Sequence, residues 1–138
     1  MESTTTSPDG VSTAARWAGR IASGIPALFL AFDTAIHFAK PAPVVQAFAH
    51  LGLPLSLSVP LAGTELGCLI VYLIPRTSFL GAILLTGYLG GAVATHLRAG
   101  DPLFNVLFPV IVGTLAWGGL FLRNKRVRVL LPVERAVS

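Results

Sequence analysis

The sequence is poor in charge and nearly without sulfur: 12% of its 138 residues are charged, and it holds one cysteine and one methionine. Soluble domains run close to a quarter charged, so a water-soluble globule is excluded. A lone cysteine, Cys68, closes no intramolecular disulfide, and no Cys-x-x-Cys or Cys/His zinc spacing occurs. Disulfide scaffolds and zinc modules are thereby removed. The apolar stretches do not alternate with polar residues, which excludes the ten-residue strand pattern of a membrane barrel. What the sequence has in quantity is apolar surface, 54% hydrophobic residues with a mean hydropathy of +0.76.

Four apolar runs, 21–39, 55–74, 78–97 and 103–122, are each long enough to cross about 30 Å of hydrocarbon as a helix. The connectors at 75–77 and 98–102 hold only turns, so neighbouring helices run antiparallel. The expected fold is all-α: an integral membrane four-helix antiparallel bundle. The longer connector, 40–54, has Pro43 placed to open a helix and Val44, Val45, Phe48 and Leu51 on one stripe. It predicts a short interfacial helix between the first and second spans.

A formal charge of +4 would ordinarily raise nucleic acid as a partner. The positions of the charges exclude it. Arg16, Arg20, Arg76, Arg123, Lys125, Arg126, Arg128 and Arg135 fall beside one end of the spans, Lys40 and Arg98 beside the other. Lys and Arg gather on the cytoplasmic side, so both termini are expected in the cytoplasm and the protein in the cytoplasmic (inner) membrane. Three regions follow: a Ser/Thr-rich, disordered N-terminal tail over 1–16 with no cleavable signal, a membrane domain over 17–123, and a basic cytoplasmic tail over 124–138 that anchors near anionic lipid.

Ionisable residues within the spans are the candidate functional groups, because they are costly in hydrocarbon. Asp at mid-span costs about 3 kcal/mol, and the eight Leu, Ile and Phe residues of the first span return roughly 4 kcal/mol. Asp33 should therefore face protein or water. His37 lies one turn further along the same face, where a carboxylate can accept its imidazole proton. Glu65 lies near the middle of the second span with Tyr72 on nearly the same stripe, and His96, Arg98 and Asp101 crowd the end of the third. Antiparallel order places Asp33, His37, Glu65, His96, Arg98 and Asp101 in the outer half of the bundle as one candidate polar cavity. Gly63-x-x-x-Gly67 and Gly87-x-x-x-Gly91 read as close-packing faces for neighbouring helices, with oligomer contacts as the other reading. Glu65 and His96 point away from both. Pro26, Pro60 and Pro109 favour bends. Cys68 reads as an inert buried thiol, and Trp17 and Trp117 as interface and packing residues.

The stretches IASGIPALFLAFDTAIHFAKPAPVVQAFAHLGLP and YLIPRTSFLGAILLTGYLGGAVATHLRAGDPLF resemble the DoxX-like family of small four-span bacterial membrane proteins. The likeness covers roughly 20–123, and its most specific phrase runs from Leu85 to Pro102. The resemblance implies a four-helix fold in the cytoplasmic membrane. The family takes its name from an archaeal sulfur-oxidation and quinone-linked oxidase system, and related members are thought to act as accessory subunits or membrane chaperones. By resemblance, Asp33, Glu65, His96, Arg98 and Asp101 occupy polar positions typical of the family, while His37 stands where many relatives are expected to carry lysine or another residue.

Two function classes stand open. One is a noncatalytic accessory subunit or assembly factor that binds a membrane protein partner or a second copy of itself, its polar residues forming a buried structural network. The other is an intramembrane enzyme or redox-linked subunit that holds a hydrophobic, quinone-like small molecule, with Glu65 or Asp33 exchanging protons and His96 or Arg98 pairing with its oxygen. A metal ion or a haem held by His37 and His96 is a third, weaker reading, against which the Glu-x-x-His pairs of carboxylate di-metal bundles are missing, so no resident metal is expected.

Overall fold

The computed structural model describes residues 11–131. Most of the tail expected to be disordered, and the last seven residues of the basic tail, lie outside the described residues. Among the described residues six helices form: α1 (Thr13–Ala39), α2 (Ala42–His50), α3 (Ser58–Leu73), α4 (Ser78–Ala99), α5 (Leu103–Arg123) and α6 (Lys125–Leu130). A single 3-10 turn, Leu55–Leu57, leads into α3. The four apolar runs thus become α1, α3, α4 and α5, each long and apolar enough to span a membrane. They close a ring in which α1 and α4 each pack against both α3 and α5. Leu28 is 76% exposed and Leu103 70% exposed, a cost in water but not in lipid. The protein is a multi-pass membrane protein folded as an antiparallel four-helix bundle.

Helix α1 is 27 residues, about 40 Å long, so it projects beyond the hydrocarbon. It begins at Thr13, where the Ser12 hydroxyl accepts from the Ala15 amide at 3.2 Å, four residues ahead of the boundary expected at 16/17. It ends at Lys40, which takes a left-handed conformation (φ 51°) before Pro41 stops the helix. Pro26 and Pro109 are buried inside α1 and α5. Pro60 instead falls in the first turn of α3, where its missing amide breaks no helical bond.

The glycine reading needs correction. A Cβ added at Gly63, Gly67, Gly87 or Gly91 would meet nothing within 4 Å, so among the described residues neither motif packs against a neighbouring helix. The close approaches occur elsewhere. A Cβ on Gly81 would sit 2.2 Å from the Tyr72 backbone nitrogen, and one on Gly119 would sit 2.5 Å from that of Ser23. A GxxxG spacing identifies a flat helix face but not the neighbour that fills it, which here is no helix of the bundle.

The end carrying the start of α1 and the end of α5 is tied by polar contacts. The Tyr72 hydroxyl donates to the Ala116 carbonyl at 2.7 Å and lies 3.0 Å from the Ser23 hydroxyl, which accepts from Arg123 Nε at 3.0 Å. The Arg123 guanidinium sits 5.5 Å over the Tyr72 ring. Tyr72 therefore serves this end rather than the surroundings of Glu65. The first part of the basic tail is helical: Val127 is buried, and Arg128 donates to the Phe121 and Leu122 carbonyls at the end of α5.

Candidate functional site

The other end of the bundle is capped by α2. Its buried residues Val44 and Phe48 are the part of the expected stripe that faces inward, while Val45 stays exposed and Leu51 half-buried. The stripe thus packs onto the bundle itself. Beneath this cap the six expected site residues divide into two groups.

The inner group lies on α1 and α3. His37 Nδ1 is 2.8 Å from the Asp33 carbonyl and 3.1 Å from the Asp33 carboxylate, the pairing that the i, i+4 spacing predicts. Glu65 comes in from α3, and one donor atom from each of Asp33, His37 and Glu65 lies within 4.8 Å of the others. Glu65 is only 1% exposed. The Tyr88 hydroxyl on α4 reaches Glu65 Oε2 at 3.5 Å, and Glu65 Oε1 has no hydrogen-bond partner among the described residues. The buried Thr34 hydroxyl next to Asp33 is unpartnered in the same sense. Two contacts hold the group in place: Phe48 of the cap meets the His37 ring edge-on at 5.6 Å, and Ser58, at the start of α3, donates to the His37 carbonyl at 2.6 Å.

The outer group lies at the mouth. Gly100, left-handed at φ 72°, ends α4 and turns Asp101 back towards it. Asp101 then receives His96 Nδ1 at 2.5 Å on one carboxylate oxygen and His50 Nε2 on the other. These two imidazoles, His96 first and His50 second, hold the Asp101 carboxyl below its ordinary value of 3.8. Arg98 reaches across to the Leu51 carbonyl at 2.5 Å. His96, Arg98 and Asp101 thus fasten the C-terminal end of α2 to the α4–α5 turn.

This geometry lies within the part of the chain that a family profile matches. The profile of the DoxX-like family fits residues 21–119, well over half of the sequence. The chain belongs to the DoxX-like family. The match takes in both polar groups and the cap, and stops short of α6. No curated protein and no solved structure matches the chain. In this DoxX-like bundle the expected single cavity is resolved into an acid–imidazole group beneath the cap and a hydrogen-bonded latch at the mouth.

Two members were not read from the sequence of this DoxX-like protein. His50 lies at the end of a helix whose apolar stripe was recognised, and its polar partner is 51 residues away. Tyr88 carried a usable signal, since a buried tyrosine hydroxyl needs a partner and Glu65 on the adjacent helix offers one. The expected packing role of Trp117 takes a definite form: Nε1 donates to the Thr86 hydroxyl at 2.8 Å and the ring meets Phe79 edge-on at 5.8 Å.

Proposed function

We propose that the protein is a noncatalytic accessory subunit or assembly factor of the cytoplasmic membrane, with both termini in the cytoplasm, that packs against a transmembrane helix of a partner protein. The observation that carries this reading is the outward placement of both GxxxG faces. Gly63 and Gly67 on α3 and Gly87 and Gly91 on α4 are exposed, with open space where a side chain would stand. Faces that flat let a neighbouring backbone approach closely, and close approach is what drives helix association in lipid.

Orientation follows the basic residues. Arg16, Arg20, Arg76, Arg123, Lys125, Arg126 and Arg128 belong to the end bearing the start of α1, the end of α5 and the α3–α4 turn, whereas Lys40 and Arg98 belong to the capped end. A cleft of about 610 Å³ lined by Arg16, Arg123, Lys125 and Arg126 supports contact of the basic end with anionic lipid.

The redox-linked reading would have His96 or Arg98 pair with the oxygen of a quinone-like ligand beside Glu65. Those side chains contact Asp101 and Leu51 at the mouth, which favours the noncatalytic reading. A photo-crosslinking residue placed at Gly67 or Gly91 in native membranes tests the proposal. Discrete adducts from these positions, absent from the likewise exposed Leu107 and Ile111 on α5, are expected. Equal labelling from all four positions, or lipid adducts alone, would overturn it.

A further inference from the structure

The inner polar group has features that a structural network leaves without purpose. Asp33, His37 and Glu65 come from two helices, and their donor atoms gather within 4.8 Å. Buried polar networks are stable when every member is satisfied. This one is not, because Glu65 is 1% exposed, its Oε1 atom has no hydrogen-bond partner among the described residues, and the Tyr88 hydroxyl stands 3.5 Å from its other oxygen. Two carboxylates brought together inside an apolar bundle repel, and a buried charge needs a counter-charge close by. One doubly charged cation would balance both and occupy the vacant acceptor.

We propose that Asp33, His37 and Glu65 form an intramembrane binding site for a single first-row divalent metal ion beneath the α2 cap. The donor set identifies the class of ion. Imidazole nitrogen with two carboxylates suits Zn²⁺, Mn²⁺ or Fe²⁺, whereas Ca²⁺ takes six to eight oxygens and Cu(I) prefers sulfur. Three protein donors leave a coordination position open, as at metal centres that keep an exchangeable ligand. The His37 ring is already positioned by its Nδ1 contact with the Asp33 carbonyl at 2.8 Å and by Phe48, which lowers the cost of ordering it. The sequence alone pointed away from a metal because it offers no Glu-x-x-His pair; the third donor comes from a different helix. This site is independent of the proposed docking faces, since Glu65 lies on the buried side of α3 and Gly63 and Gly67 on the exposed side.

Cobalt titration of the untagged full-length chain in lipid nanodiscs tests the proposal, with Zn²⁺ as competitor. One Co²⁺ per chain is expected, with visible d–d absorption that Zn²⁺ abolishes. Glu65→Gln and His37→Gln should each weaken binding more than about 100-fold, beyond the usual effect of losing an outer-shell partner. A His50→Ala/His96→Ala double variant should bind as the parent does. His37 is only partly buried, so His37→Gln serves if Glu65→Gln fails to fold, with circular dichroism reporting helix content. Absence of d–d absorption with the folded parent chain, binding that survives His37→Gln, or binding lost with the mouth histidines would each overturn the site.

Discussion

His50, on the helix that caps the bundle, and Asp101, in the turn between α4 and α5, are 51 residues apart in sequence and in direct hydrogen-bond contact. Asp101 also receives His96, so one carboxylate ties the cap to the end of a spanning helix. If this contact holds the cap down, His50→Ala should speed amide exchange over 42–53 and leave α3, α4 and α5 protected. Unchanged exchange in α2 would mean that the burial of Val44 and Phe48 holds the cap unaided.

The same latch should respond to acid with a defined sign. The Asp101 carboxyl is lowered in the folded state by His96 and His50, so its contribution is present above the ordinary value of 3.8 and is lost as pH falls through the lowered value. Exchange over 42–50, corrected for its intrinsic pH dependence, should therefore rise only below about pH 4, and Asp101→Asn should abolish that transition. A transition near pH 6.5 would assign the latch to the imidazoles instead.

Glycines separate sharply by position. Gly81→Ala forces a methyl group to 2.2 Å from the Tyr72 nitrogen and should cost about 1–3 kcal/mol or more, read as a lowered melting temperature. Gly67→Ala adds a methyl group in open space and should leave melting unchanged or slightly raised, since alanine favours the helix. Equal effects at the two sites would contradict the assignment of inner and outer faces.

Tyr72→Phe removes the hydroxyl that satisfies the buried Ala116 carbonyl and touches Ser23. The expected loss is about 1 kcal/mol, in line with hydrogen bonds between membrane helices. A melting curve that matches the parent would show that another group takes over at Ala116.

The spans, their order and the cap were legible because continuous apolar runs and short connectors leave few ways to fold. Local chemistry was legible too: Asp33 and His37 pair across one turn as their spacing requires. Contacts between helices were not. That His96 turns to Asp101 depends on the left-handed Gly100, and that Glu65 meets Asp33 rather than His96 depends on how each helix rotates about its axis. The GxxxG motifs show the same limit, for their spacing fixes a face on each helix but leaves its neighbour unspecified. The basic tail was read from charge alone, so the fold-back of Val127 and Arg128 onto α5 could not be seen.

The size of the native complex on blue native gels most directly tests the proposal that the protein docks through its outward glycine faces. A Cβ at Gly63, Gly67, Gly87 or Gly91 has nothing within 4 Å among the described residues, so with leucine at Gly63 and Gly67, or at Gly87 and Gly91, melting should match the parent while the complex shrinks to the size of the isolated chain. A complex of unchanged size around a chain of unchanged stability would contradict docking through these faces.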